Sequence, residues 1–519
     1  MMYTLRRVVA AGGLAWLGLL AGGCASLPDA ATDGAAAAWP RPSLPEATGS
    51  DPCARWWREL DAAVFAAGVA DAEAERIQGF AGLRVDRIGQ ALLASADSDT
   101  TARAAWMHRS AELDRQAREA ELAQLPAAAF PVGAALDRAA ALSRSRECRE
   151  SQVQTVLQQP ARWRQLAAVA TVPPRYSRWH RALGAYALLR WPFWAGVQAW
   201  QDGHQAEMAR WREQAPPLQR WLPPREGAGD AALAAPRGDA LGLPRWTEPQ
   251  ARQWLAWHAP ELQIETRGRF DRIGSPRWAP TDGPPGTPTQ PDVNEQDPVV
   301  YQRLSHTRWQ GRWLPQLVYT IWFAERPARS RFDLLAGRLD GLILRLTLDE
   351  DGQPLLLDSI HACGCYHLFF PSARLRERTD GPRHEEWLFA PQPLPRPGPG
   401  ERLVLRVASA SHYLMGVTTN PREPRISNSS PQQHYRLADE NELRALPGPV
   451  PEAPRRSLYA SDGLVQGSER GERWLFWPMG IRSAGAMRQW GHHATAFVGR
   501  RHFDDVDLLE QRFERVPER

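Results

Sequence analysis

The sequence predicts an α+β fold, with a helical amino-terminal domain followed by a mainly antiparallel, β-rich carboxyl-terminal domain. Apolar residues recur at helical spacing from position 51 to about 211. Beyond 261 the pattern turns to short β-prone runs broken by Gly and Pro, and a Pro- and Gly-rich connector at 215–260 separates the two regimes. A change of hydrophobic period across such a break is the signature of separate helical and sheet layers.

The chain opens with Arg6 and Arg7, an apolar run from Val8 to Leu20, and then Ala21-Gly22-Gly23-Cys24. At about 1.5 Å per residue the run reaches only about 20 Å, short of the roughly 30 Å hydrocarbon core, so 1–23 is expected to be a signal peptide rather than a membrane span. The Arg6-Arg7 pair sits in a poor twin-arginine context, and general secretion is the better expectation. Leu20-Ala21-Gly22-Gly23-Cys24 resembles the lipobox of bacterial lipoprotein precursors, with Ala21 at the position where the family pattern carries leucine. The resemblance covers only these first residues. It implies cleavage before Cys24, a diacylglyceryl group on the Cys24 sulfur and, because Ala25 follows, retention in the outer membrane facing the periplasm.

Residues 24–50 are rich in Ala, Pro, Gly and Ser and are expected to form a flexible tether. The segment 51–214 is expected to be helical throughout, with Leu60, Val64 and Phe65, and then Leu113, Ala117 and Ala120, at helical spacing. Its most apolar stretch, Trp179 to Trp200, carries His180, Arg181, Arg190 and Pro192, which exclude a span. A buried helix pair is expected there, with an interfacial, membrane-touching pair as the alternative. Within the connector, Glu248 to His258 reads as a short helix.

In 261–519 two hairpins are expected, Val299–Trp309 with Trp313–Phe323 and Leu342–Leu348 with Leu355–Ile360. Leu403–Val407, His412–Val417, Trp474–Trp477 and Ala494–Val498 read as further strands, and Asp505 to Phe513 as a helix.

Composition narrows the chemistry. The 519 residues carry 63 basic and 59 acidic side chains, and every basic one is arginine. Without lysine there is no Schiff base, no phosphate-loop lysine and no kinase strand lysine. A net charge of +4 gives no electrostatic case for nucleic acid, while 23 tryptophans point to aromatic-rich cores or an interfacial surface.

Export makes cysteine pairing meaningful. With Cys24 lipidated, the remaining four permit Cys53–Cys148 and Cys363–Cys365, one of three connectivities. The densest constellation is His361-Ala362-Cys363-Gly364-Cys365-Tyr366-His367. If the strand before it continues, His361, Cys363, Cys365 and His367 share one face. Three readings stay open: a Zn or Cu(I) site using two or three of these groups, a redox-active Cys363–Cys365 pair, or a purely structural strand end. Secondary candidates are His412, which lacks a nucleophile elbow beside it, and the group His492, His493, His502 and Asp504, in which His493 and His502 meet only if the chain folds back. The expected function is an envelope lipoprotein that binds or scaffolds. The rival is a periplasmic enzyme, either a metal-assisted hydrolase or a thiol–disulfide oxidoreductase.

Overall fold

The α+β class holds. The computed structural model describes residues 51–126, 129–130, 137–224, 236–280, 289–422, 432–448 and 454–516. The expected leader, the lipobox with Cys24 and the whole tether lie outside the described residues.

The helical part begins at Pro52–Ala66, where Asp51 accepts a hydrogen bond from the Cys53 amide and Pro52 occupies the first turn, in which a missing N–H costs nothing. The same capping logic starts Thr100–Gln124 at Asp99 and Arg138–Gln158 at Asp137. One feature departs from the all-helical expectation: Glu75–Ile77 and Phe80–Val85 form an antiparallel hairpin, turned at Gly79 with φ +82°. Helices pack closely over it, so that a Cβ on Gly82 would meet Gln152 and Trp57 at 3.1 Å. Cys53 and Cys148 are joined by a disulfide that ties the first helix to Arg138–Gln158 across 95 residues.

Charge runs through this helical core. Glu121 and Arg118, both fully buried, form a lattice with Asp61, Arg76 and Arg84 at 2.5–3.1 Å, while Arg149 holds Asp114. Burial would raise the Glu121 carboxyl, but Arg76, Arg84 and Arg118 outweigh it and hold it far below the usual carboxylate range.

In the β-rich part, both predicted hairpins belong to one sheet. Val299–Trp309, Arg312–Arg326, Gly337–Leu348, Pro354–His361 and Leu368–Pro371 run as an antiparallel meander, and Arg436–Asp439 adds a parallel edge beside Val299–Trp309. The first turn places Gln310 and Gly311 at φ +50° and +75°, the pair of left-handed residues that a tight hairpin requires. Leu314 to Phe323 and Leu339 to Leu348 are buried without alternation, because both faces of the sheet are covered. One face packs on the Glu248–His258 helix and a second, five-stranded mixed sheet; the other packs on the chain between 458 and 503. The Glu248–His258 helix has the predicted bounds and starts with a Thr247/Gln250 capping box.

Several expectations need correction. Trp474–Trp477 is not a strand but a helical turn, Arg473–Phe476, followed by a 3-10 turn. Ala494–Val498 is mostly buried but irregular, with only an isolated Ala494–His502 bridge, and the Phe497 and Val498 amides donate to Glu386. The strand expected from His412 begins at Leu414, since Ala410 and His412 adopt left-handed φ values of 61° and 51°. The helix at the carboxyl end is confined to Leu508–Arg512.

Trp179 to Trp200 is a helix pair, Arg178–Leu183 and the start of Tyr186–Glu213, but it is not buried. Trp179 is 77% exposed, Leu183 76%, Leu188 73% and Trp191 50%. The longer helix buries only His204, Met208 and Trp211, at its far end. No described helix is long and apolar enough to cross a membrane. The helical and β-rich segments lie in one compact unit, Ala47–Arg519, stitched by the Arg444–Asp71 pair at 2.8 Å and the Arg303–Glu73 pair at 2.8 Å.

Candidate functional site

The segment His361–His367 does not continue the strand. The amide of Gly364 donates to the His361 carbonyl at 2.7 Å and the His361 amide donates to the Cys365 carbonyl at 3.0 Å, closing a tight turn. Gly364 has φ +91°, and a Cβ there would sit 2.6 Å from the Ala494 carbonyl oxygen, so only glycine fits. The shared face expected for His361, Cys363, Cys365 and His367 is therefore lost, because the turn sends the two imidazoles to different carboxylates. Among the described residues no three His, Cys, Asp or Glu side chains are placed to hold a metal ion, so the expected Zn or Cu site using two or three of these groups finds no support there.

Cys363 and Cys365 are free thiols rather than the expected disulfide. A hydrogen bond between them favours ionisation of the buried Cys363, while the same bond and burial push the Cys365 thiol well up.

The centre of this region is Asp340, fully buried on the strand Gly337–Leu348. Its carboxylate receives Arg470 at 3.1 Å, His412 Nδ1 at 2.9 Å and the Gly341 amide at 3.0 Å. Burial would raise it, yet the Arg470 charge and the hydrogen bond from His412 prevail and keep it well below the normal range. His412 also faces the Phe270 carbonyl at 3.0 Å and Asp271 at 3.5 Å through Nε2, and its ring stacks on Phe323 at 3.9 Å. With acceptors at both nitrogens, both must donate, which is the imidazolium form. Burial opposes that charge, but the hydrogen bonds to Asp271 and Asp340 more than offset it and raise the imidazole above its ordinary value. His361 Nδ1 lies 3.4 Å from Asp340 but too poorly aligned for a hydrogen bond, and neither ring nitrogen has a hydrogen-bond partner among the described residues. Burial holds His361 below its ordinary value.

His367 instead meets Asp358 at 2.9 Å, which also takes both arms of Arg345. Burial brings His367 down to about 3 despite that bond.

The chain does fold back at the second candidate group, since the Phe503 amide donates to the His493 carbonyl at 3.0 Å. The rings still diverge. His492 Nε2 faces the Ala72 carbonyl at 2.7 Å, and His502 Nε2 accepts from the Arg175 amide at 3.1 Å. Burial depresses His493 to about 3. Asp504 pairs with Arg87 at 3.1 Å, and Asp505, not Asp504, faces His502. Ser409 donates to Asp271 at 2.8 Å, which makes it a brace for that carboxylate rather than a nucleophile.

Asp340, Asp271, Arg470 and Asp358 were not among the sequence candidates. A signal existed for two of them: Asp340 and Asp358 interrupt apolar strand runs, where a carboxylate is tolerated only if paired.

Two concavities stand apart from this cluster. One of about 20 Å³ lies among Glu73, Arg87, Arg175, Trp490 and Asp504. A groove of about 680 Å³ is lined by Trp254, Trp257, His258, Arg402 and Arg422. Neither is lined by His361, Cys363, Cys365, His367 or His412. No family model, curated protein or solved structure matches the chain.

Proposed function

We propose that this chain is a cell-envelope lipoprotein, anchored through Cys24 in the outer membrane and facing the periplasm, that works by binding or scaffolding rather than catalysis. The supporting observation is the Asp340 cluster. Its carboxylate is fully buried and carries three polar partners, and neither concavity reaches the groups around it. An acid or base of catalysis needs access to a substrate proton, and a metal centre needs converging ligands. The roomy groove instead offers indole and guanidinium surface, with Arg422 stacked 3.7 Å from the Trp257 ring, which suits ligand contact.

Metal analysis of the purified chain, beside the double variant Cys363→Ser/Cys365→Ser, tests this reading. The expected result is no stoichiometric metal and unchanged thermal stability. About one equivalent of Zn or Cu, lost in the variant, would establish a metal centre instead. Mass spectrometry of the mature amino terminus checks for diacylglyceryl on Cys24.

A second reading, thiol–disulfide exchange, is favoured by one observation, the two neighbouring free thiols Cys363 and Cys365, the second of them partly exposed. It requires the pair to close reversibly under mild oxidation, which thiol titration reads.

A further inference from the structure

The exposed helix pair is one part of a larger apolar face. Arg178–Leu183 sits directly on the turn after the Arg473–Phe476 helix, so closely that a Cβ on Gly184 would lie 2.5 Å from Pro478. Arg181 donates to the Met479 carbonyl at 2.9 Å, and Phe193 meets Phe476 edge-on at 5.3 Å. This packing sets Trp474, 73% exposed, and Leu475, 52% exposed, on an element adjoining the one that carries Trp179 and Leu183. Large side chains at these exposures do not stabilise the fold, and exposed apolar groups gathered on adjoining elements mark an interaction site.

Charge identifies the partner. Between Arg178 and Gln201 the sequence holds no acidic residue, and between Arg473 and Ser483 it holds none either. The adjoining Glu472 is only 3% exposed. Arg178 is exposed beside Trp179, and Arg473 lies 4.8 Å from the Trp474 ring, a guanidinium held at the edge of the apolar surface. Arg190 contributes less, since it faces Glu385 at 3.6 Å. Indoles and leucines at the centre with arginines around them match an anionic bilayer, where the apolar groups enter the acyl boundary and the guanidinium groups meet phosphate.

We infer that the face formed by Trp179, Leu183, Leu188, Trp474 and Leu475 docks on an anionic phospholipid surface, as a membrane contact separate from the Cys24 anchor. It goes beyond the lipoprotein reading and does not depend on it. Such a contact would fix the orientation of the compact unit against the bilayer.

The test uses the chain from position 24 with Cys24→Ser, which has neither leader nor lipid and retains the whole compact unit Ala47–Arg519. Co-sedimentation with phosphatidylethanolamine–phosphatidylglycerol vesicles is compared with phosphatidylcholine vesicles, and with the triple variant Trp179→Ser/Leu188→Ser/Trp474→Ser. The expected result is binding to the anionic vesicles, weakened by about tenfold or more in the triple variant and on neutral lipid, with an unchanged melting curve. Absence of vesicle binding, or equal binding by the triple variant, would overturn the inference. So would a dimer in vesicle-free sedimentation velocity that the triple variant abolishes, since the face would then be an interface between copies. The lipid on Cys24 is read independently on the wild-type chain by mass, so failure of one does not mimic failure of the other.

Discussion

The Asp340 cluster and the Trp179–Trp474 face reverse the usual placement of side chains. At the first, carboxylates, guanidinium groups and imidazoles lie at or near zero exposure; at the second, tryptophans and leucines are half to three-quarters exposed. The difference separates structure from interaction. A buried charge persists only when its neighbours satisfy it, and once satisfied it has little capacity left for a ligand. An exposed indole with nothing packed over it has all of that capacity.

Breaking the buried cluster has the largest expected effect. Asp340→Ala strands Arg470 and His412 without their shared counterion, and a loss of about 3–5 kcal/mol in urea unfolding is expected. A loss below about 1 kcal/mol would mean that Asp340 is not the structural centre, and would reopen a functional role for it. Second is the covalent tie. Replacing Cys53 and Cys148 by serine frees a separation of 95 residues and is expected to cost about 2–4 kcal/mol, read by the same unfolding experiment under oxidising and reducing conditions.

Third is pH. Burial holds His204 at about 4 and His367 and His493 at about 3, so these rings stay neutral in the folded chain while the unfolded chain protonates them near 6.5. Folded values below unfolded ones mean that stability falls as pH drops below about 6.5. The slope approaches about 1.4 kcal/mol per pH unit for each imidazole. His412 runs the other way: its contribution is complete below about 6.5 and is lost as pH rises through its raised folded value. Urea midpoints between pH 7 and 5 should therefore decrease, and a flat profile would show that these rings are not held neutral. Smallest is the surface. Trp179→Ser should leave stability within about 0.5 kcal/mol while weakening vesicle binding, which separates the two regions in a single variant.

How much of this was legible follows from the range of each signal. The meander was readable within a few residues because β-branched and leucine runs flank the turns at Gln310-Gly311 and Asp351-Gly352, all local features. The Glu248–His258 helix was readable because its pattern lies within one short segment. Trp474–Trp477 misled because a run of aromatic residues satisfies a strand pattern equally well, and contacts remote in sequence, such as His180 on Trp477 and Phe193 on Phe476, go with the helical turn. The glycine turn at 79 was a usable sign of the hairpin that the helical reading passed over. The cluster itself was half visible. His361, His367 and His412 were picked out by type, but the carboxylates that give them meaning stand 21, 9 and 72 residues away in sequence, and spacing within one segment cannot reveal such pairs.

Hydrogen–deuterium exchange on the chain from position 24 with Cys24→Ser, with and without phosphatidylethanolamine–phosphatidylglycerol vesicles, tests both halves of the contrast at once. New protection is predicted at 178–191 and 473–476, with 340–367 and 412 equally slow in both conditions. Protection gained at 361–367 or 412 while 178–191 stays unchanged would contradict the account, because the buried cluster would then be the part that answers to a ligand.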